Sequence, residues 1–522
     1  MDFELYLGAL LNVLQPYNLA VVFAGALGGI LVGSIPGLTA TMGVALLVPF
    51  SFGMDMDVSI GMLLGLYCGA MYGGSIASIL IRTPGTPAAA ATLLDGYPLG
   101  QKGQGSRALS MSLWASFIGG LIGCGVMTFL SPQVSKFALK FSPAEYFALA
   151  IFGLSVIVSI SGNSVIKGIM SGLLGLILCT VGSDPISGYP RYIFGNMQLY
   201  EGPPFIPTLI GLFAVSEILS NVENFSIEKA RVKAEKVTQV LPTAADIKRC
   251  FSTYIKGGII GTFIGSIPGA GGDIAAFVSY GEAKRSSKTP EKFGTGMIEG
   301  VAAAESANNG CSGGAMIPLL SLGVPGDSVT AILLGAFIIH GLQPGPLLYK
   351  DHMNVVYMVF ASLLVANIAM FVLGAIGVRF FSRVIGMDKR LLLPIIFVLS
   401  IIGSYSMRNS FFDIFLTLGF GIVGFLLQRY GFPLAPILLA LILGPMAESN
   451  LRRMLVISQG RVDVFLEHPI AMTLFVLAGI SLVLAYISQR KTIKRVGENS
   501  DSDSGDTVSY THLRAHETRS NL

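Results

Sequence analysis

Apolar residues run along this chain in long blocks, not in the alternation of a strand. Val21–Phe50 and Val58–Ile81 are two early blocks. Met353–Val378 and Ile470–Ser488 are clean ones, each long enough to cross a bilayer, which takes about 20 apolar residues. Further spans are predicted near 108–130, 144–160, 165–182 and 208–222. Val21–Phe50 and a further apolar stretch, Tyr254–Tyr280, are broken by the same five residues, Gly33-Ser34-Ile35-Pro36-Gly37 and Gly265-Ser266-Ile267-Pro268-Gly269. Proline removes a backbone donor, and glycine bares the carbonyls beside it. Backbone groups left free at membrane depth persist only where protein buries them or a polar cavity takes them.

The interruptions recur in order. Gly73-Gly74 finds a counterpart in Gly313-Gly314, Pro84-Gly85 in Pro325-Gly326, and Asp95-Gly96 in His340-Gly341. The offset drifts only from 232 (265 − 33) to 245 (340 − 95). One unit is therefore read as duplicated. The reading divides the chain into a first transmembrane repeat at 1–222, a polar linker at 223–250, a second repeat with C-terminal spans at 251–490, and a polar tail at 491–522. The tail lacks any apolar period and is expected to be disordered. Within it, Ser509–Ser520 reads as translated non-native sequence.

Charge orients the copies. The flanks of the first break, residues 1–18 and 51–57, hold no Lys or Arg. The flanks of the second hold Lys229, Arg231, Lys233, Lys236, Lys248 and Arg249 on one side and Lys284, Arg285, Lys288 and Lys292 on the other. Short basic loops stay cytoplasmic, so the linker is cytoplasmic and the two breaks are entered from opposite sides. That pattern is an inverted-topology repeat. Each break has like charge on both flanks, which points to a re-entrant hairpin. A broken helix that crosses is the alternative, and Asp55 and Asp57 are compatible with it. The expected fold is an all-α polytopic membrane protein with two inverted repeats, re-entrant hairpins, broken helices and roughly 10–12 membrane-spanning segments.

Composition agrees with lipid. Of 522 residues, 52% are hydrophobic and 12% charged, against about 25% charged in a soluble domain. The 64 glycines suit close-packed membrane helices. A net charge of +4 lying in loops gives no reason to expect nucleic acid. The five cysteines stand singly, no His/Cys/Asp cluster has metal spacing, and no P-loop is present. No enzyme is expected, no catalytic residue is named, and any metal is unknown. The acidic start Met1-Asp2-Phe3-Glu4 predicts no cleaved signal peptide.

Duplicated breaks in matching places are the best sequence pointer to a transporter's binding site. Half-helix starts attract anions and half-helix ends attract cations. Candidate substrate-binding positions are Ser34, Pro36, Gly37, Arg82, Thr83, Gly85, Thr86, Ser266, Gly269, Asn308, Asn309, Gly326 and Ser328. Candidate cation-coupling positions are Asp273, Asp327 and Glu305. Arg82 has the chemistry to grip a carboxylate in bidentate fashion, or to snorkel at a helix end. Asp273 and Asp327 each follow a Pro-Gly break, where an aspartate binds a cation or caps a helix. Glu299 and Glu305, six residues apart, are expected on different helix faces. Ser34 and Ser266 are expected on opposite sides of one midplane site.

Gly33–Gly37 with Thr39 and Thr41, the run from Tyr72-Gly73-Gly74-Ser75 to Thr83-Pro84-Gly85-Thr86-Pro87, and Asp95-Gly96-Tyr97-Pro98 carry a resemblance. So do Glu305–Asn309, Gly323–Asp327 and His340-Gly341 through Pro344-Gly345-Pro346. Over roughly residues 1–490 the chain resembles the large permease subunit of tripartite tricarboxylate transporters, the TctA family. The resemblance implies a multi-pass protein of the bacterial inner membrane and uptake of tri- or dicarboxylates driven by Na⁺ or H⁺. It implies no cofactor beyond that coupling ion. It also implies two partners, a small TctB-like membrane subunit and a periplasmic TctC-like solute-binding protein. A channel or scaffold subunit without coupled transport is the competing reading, and an intramembrane enzyme the third.

Overall fold

Pairs of small residues decide how these helices meet. A computed structural model describes residues 3–160, 164–184, 187–223, 240–384 and 389–502. The first repeat forms α1 (Phe3–Val13), α2 (Pro16–Ser34), α3 (Ala40–Ser51), α4 (Met56–Ile81), α5 (Ala90–Leu99) and α6 (Gly105–Ala138). Next come α7 (Pro143–Ile160), α8 (Val165–Cys179), α9 (Phe205–Leu209) and α10 (Ser216–Glu223). The second repeat forms α11 (Ala244–Gly265), α12 (Gly271–Ser286), α13 (Ile298–Leu322), α14 (Ser328–Ile339), α15 (Pro346–Asp351) and α16 (Met353–Val384). Then follow α17 (Lys389–Arg408), α18 (Phe411–Arg429), α19 (Ala435–Ile457) and α20 (Pro469–Ser502). Among the described residues the only strands are Gly182–Ser183 and Pro190–Arg191, which pair antiparallel.

Gly25, Gly29 and Gly33 of α2 sit on the backbone of Met62, Leu66 and Ala70 of α4, with no room for a Cβ. Both numbers rise together, so α2 and α4 run parallel. The 12-residue α3 between them must therefore return toward the side that α2 left. Asn12 Nδ2 donates to Asp57 Oδ2 at 3.1 Å, joining the two ends of this excursion. The second repeat does the same. Gly261 and Gly265 of α11 lie on Ala307 and Cys311 of α13, and Arg249 donates to Glu299 at 2.5 and 3.1 Å. Each Ser-Ile-Pro-Gly is thus the tip of a hairpin that enters and leaves on one side. The crossing-helix alternative would have parted those ends.

The copies run in opposite directions. Ser75 Oγ of α4 meets Ser112 Oγ of α6 at 2.6 Å. Gly100, shortly before α6 begins, lies against Ile79 near the end of α4. α6 is therefore antiparallel to α4. α6 in turn runs parallel to α13, Gly119 on Ser306 and Gly123 on Gly310. The α11–α13 pair is inverted relative to the α2–α4 pair, as the loop charges imply. Six helical segments among the described residues are long and apolar enough to cross a membrane, and six shorter apolar helices accompany them. The chain is an all-α, multi-pass membrane protein.

Packing divides the chain into two compact units, Met1–Lys140 with Asn221–Ile414, and Phe141–Ser220 with Phe415–Leu522. The first contains both hairpins. The second has its own core, where Leu212, Leu434 and Ile437 cluster. It also has an ion network in which Arg191 and Arg452 each pair with Glu448 at 2.7 Å and with Asp184 at 3.5 and 2.7 Å. α20 continues helical to Ser502. Residues 503–522 of the expected tail, and 224–239 of the expected linker, lie outside the described residues.

Candidate functional site

Each hairpin tip packs on a second break at the end of the neighbouring helix. α2 ends at Ser34 and the chain turns at Gly37, whose φ is 89°. α4 ends at Arg82 in the left-handed conformation, φ 59°. The chain then folds Gly85 between Gly33 and Gly74, with Gly85 N donating to Gly74 O at 3.2 Å. In the second copy the turn is at Gly269, φ 84°, and α13 ends at Gly323, φ 72°. Gly269 N donates to Gly326 O at 2.7 Å, so tip and break are bonded directly. Arg82 and Gly323 are equivalent positions, 241 residues apart (323 − 82) like Pro84 and Pro325 (325 − 84). The left-handed conformation is free for glycine and strained for arginine.

The two copies meet through these breaks. Thr41 Oγ1 of α3 lies 3.3 Å from Ser328 Oγ of α14. In return, Gly272 in the first turn of α12 faces Asn308 Oδ1, Met71 Cε and the Ala88 Cβ. Asn308 Nδ2 donates to Met71 O at 3.0 Å across the repeats, which leaves Oδ1 buried and without a partner. Thr86 heads the short turn Pro87–Ala89 before α5, and its buried Oγ1 also has no partner. Buried polar atoms are nearly always bonded, so two orphans at one junction mark a place where a ligand or water can bind.

Asp327 stands where the first copy has Thr86. It caps α14 in a capping box with Thr330, accepting from Thr330 N at 2.7 Å. Its other oxygen accepts from Tyr67 OH of α4 at 2.5 Å. Capping and cross-repeat contact are thus one residue's work. Asp273 lies in the first turn of α12, and Gly271 stands between it and Asp327. Among the described residues neither aspartate has a basic partner within ion-pair distance. Two neighbouring carboxylates without a paired cation can take up a small cation or a proton. No cluster of three His, Cys, Asp or Glu suited to a metal occurs among the described residues.

Several candidates are engaged by local contacts. Ser34 Oγ bonds Leu31 O at 2.9 Å and Ser266 Oγ bonds Phe263 O at 2.7 Å. Both hydroxyls turn back on their own helix ends, the usual competition of serine for a carbonyl one turn earlier. Arg82 and Thr83 are exposed, and the Arg82 guanidinium sits 5.7 Å from the Tyr97 ring centre. Asn309 Nδ2 bonds Glu305 O at 3.2 Å within α13. Glu299 pairs with Arg249, while the wholly buried Glu305 accepts from Thr92 and Ser116 on another face. Pro36, Gly37, Gly269, Gly85 and Gly326 shape the tips with their backbone. Tyr67 was not among the sequence candidates. Its phenol is hidden in the apolar run of α4, and only the helix packing brings it to Asp327.

Inverted copies that each carry a re-entrant tip and a second break recur among membrane transporters. The chain matches the tripartite tricarboxylate transporter TctA family over residues 19–439. It belongs to the TctA family. That family is a membrane component of a tripartite transporter and not an enzyme family. The chain is 38% identical over 476 residues to an uncharacterised 52.8 kDa protein in the TAR-I ttuC' 3' region of Agrobacterium vitis, covering 91% of this chain and 94% of that protein. A further match, an uncharacterised protein in the TAR-II ttuC' 3' region of the same organism, is 38% identical over 227 residues, or 44% of this chain and 94% of that relative. No solved structure matches the chain. The TctA segment, 19–439, takes in both hairpins and the orphan atoms of Thr86 and Asn308.

Proposed function

We propose that this TctA protein is the permease subunit of a binding-protein-dependent secondary transporter of the bacterial inner membrane. It imports tri- or dicarboxylates, driven by a cation gradient of Na⁺ or H⁺. Its partners are a small membrane subunit and a periplasmic solute-binding protein that delivers the substrate. The observation that carries the reading is the unpartnered pair Thr86 Oγ1 and Asn308 Oδ1, buried where the two hairpin units meet. The Thr86 hydroxyl and the first turn of α12 offer donors to an anion. Asn308 Oδ1, Asp273 and Asp327 offer acceptors to a cation beside it. Gly85, Gly326 and the two Ser-Ile-Pro-Gly tips set the backbone of the site. Movement of the hairpins then alternates its access.

Reconstitution tests this. Proteoliposomes holding the permease and its small subunit, supplied with the binding protein, are expected to concentrate labelled carboxylates against a gradient and to ignore neutral sugars. Downhill flux without concentration would support an uncoupled channel instead, and no carboxylate flux under any gradient would defeat the reading.

A further inference from the structure

Glu305 is a fully buried acid that the site does not use. It has no exposed surface at all. One of its oxygens accepts from Thr92 Oγ1 of α5, and the other accepts from Ser116 Oγ of α6 at 3.0 Å. Ser112 of α6 lies beside the same carboxyl group. No lysine, arginine, histidine or second carboxylate is within ion-pair distance of it among the described residues. On α4, Tyr72 is the titratable group within its electrostatic reach, and the phenol oxygen is buried and unpartnered. α5 and α6 face it with hydroxyls alone. A membrane-buried carboxyl group held only by neutral hydroxyls has no fixed counter-charge. It loses little by taking up a proton, and intramembrane acids of this kind mark proton pathways.

We propose that Glu305 carries the coupling proton of this transporter. The inference rests on the transport reading above and deepens it. As a carboxylate, Glu305 accepts from Thr92 on one oxygen and from Ser116 on the other, with the Ser112 hydroxyl also turned to it. Adding a proton turns one of those oxygens into a donor that needs an acceptor, which a surrounding hydroxyl supplies by reversing its own O–H. Thr92 stands on α5, whose leading turn carries Thr86. The protonation state of Glu305 thus sets how α13 grips the element that shapes the site. A packing connection extends the other way. Ser112 Oγ lies 2.6 Å from Ser75 Oγ, and Ser75 adjoins Gly74, which packs against Thr86 and Gly85. The proton enters from one aqueous face, rests on a Glu305 oxygen and leaves to the other face. No other reactant is required.

The test uses proteoliposomes with the complete transporter, a trapped pH dye, and labelled citrate, with other di- and tricarboxylates beside it. In the wild type, carboxylate entry is expected to acidify the lumen. Glu305→Gln, a neutral isostere, is expected to cut this acidification at least tenfold, and Glu305→Asp to restore part of it. Thr92→Val removes a donor to the charged form. It is expected to move the midpoint of the uptake pH profile up by about one unit, a shift that a purely structural role would not produce. Thr92→Val decides the matter even if Glu305→Gln does not fold. Substrate-driven acidification retained in Glu305→Gln, or an unmoved midpoint in Thr92→Val, overturns the proton role. Carboxylate uptake that needs Na⁺ and moves no protons also overturns it, and leaves the transport reading standing. Absence of all carboxylate uptake in the wild type overturns the transport reading instead.

Discussion

Gly85→Val is expected to abolish carboxylate uptake, by at least a hundredfold, and to lower the melting temperature of the purified protein. A Cβ at Gly85 would collide with Gly33 O and stand 2.8 Å from Gly74 Cα and 3.1 Å from Gly74 O. All three atoms are backbone, so no side chain can rotate away. Overpacking usually costs about 1–3 kcal/mol, and a site walled by main chain lies at the upper end. The damage falls where the hairpin tip meets the α4 break, so the geometry of the site goes with it. The equivalent Gly326→Val meets Ala315 Cα and Gly265 O, each at 2.5 Å, and is expected to behave alike. Gly125→Ala is the control. Nothing lies within 4 Å of a Cβ there, and uptake and melting should stay at wild-type values.

Asp95→Ala is expected to give the second large effect, on stability before activity. The Asp95 carboxylate is fully buried. One oxygen accepts from Gly294 N at 2.9 Å, Gly296 N at 2.8 Å and Met297 N at 2.7 Å, and the other accepts from Tyr280 OH at 2.9 Å. A helix of the first repeat thereby holds the loop that leads into α13 of the second. Water can reach Gly294, but Met297 and Tyr280 are buried. Leaving those two donors unpaired costs about 2–4 kcal/mol. Hydrogen exchange at residues 294–297 should rise together with the fall in melting temperature. Asp95→Asn keeps one accepting oxygen, and the Tyr280 hydroxyl can turn to accept, so it should lose less than half as much.

Much of this architecture is visible in the chain itself. Apolar blocks of spanning length, duplicated Gly/Pro breaks and one-sided basic loops all report local chemistry, and local chemistry is what a sequence displays. The re-entrant hairpins follow from the like charge on both flanks of each break, and the contacts Asn12–Asp57 and Arg249–Glu299 close them. Side-chain direction was not legible. Ser34 and Ser266 sit at the tips, yet their hydroxyls are taken by carbonyls one turn back. Arg82 draws attention as a charge beside a break, whereas the neutral Thr86, four residues on, is the one buried without a partner. Tyr67 and the amide cradle around Asp95 depend on contacts between helices of different repeats. The same holds for the second unit, which brings 141–220 together with the chain after 414. No local pattern encodes such long-range pairing.

The site itself is tested most directly by uptake kinetics of Thr86→Val and Asn308→Ala in the reconstituted transporter. Each change removes an orphan polar atom and keeps the residue small enough to pack, and Asn308→Ala removes the Nδ2 donor to Met71 O as well. Each is expected to raise KM for the carboxylate at least tenfold with the binding protein's affinity for substrate unchanged; melting temperature should hold in Thr86→Val and fall modestly in Asn308→Ala, which also loses the bond to Met71 O. Uptake by both variants within twofold of wild type would contradict a substrate site at the meeting of the two hairpins.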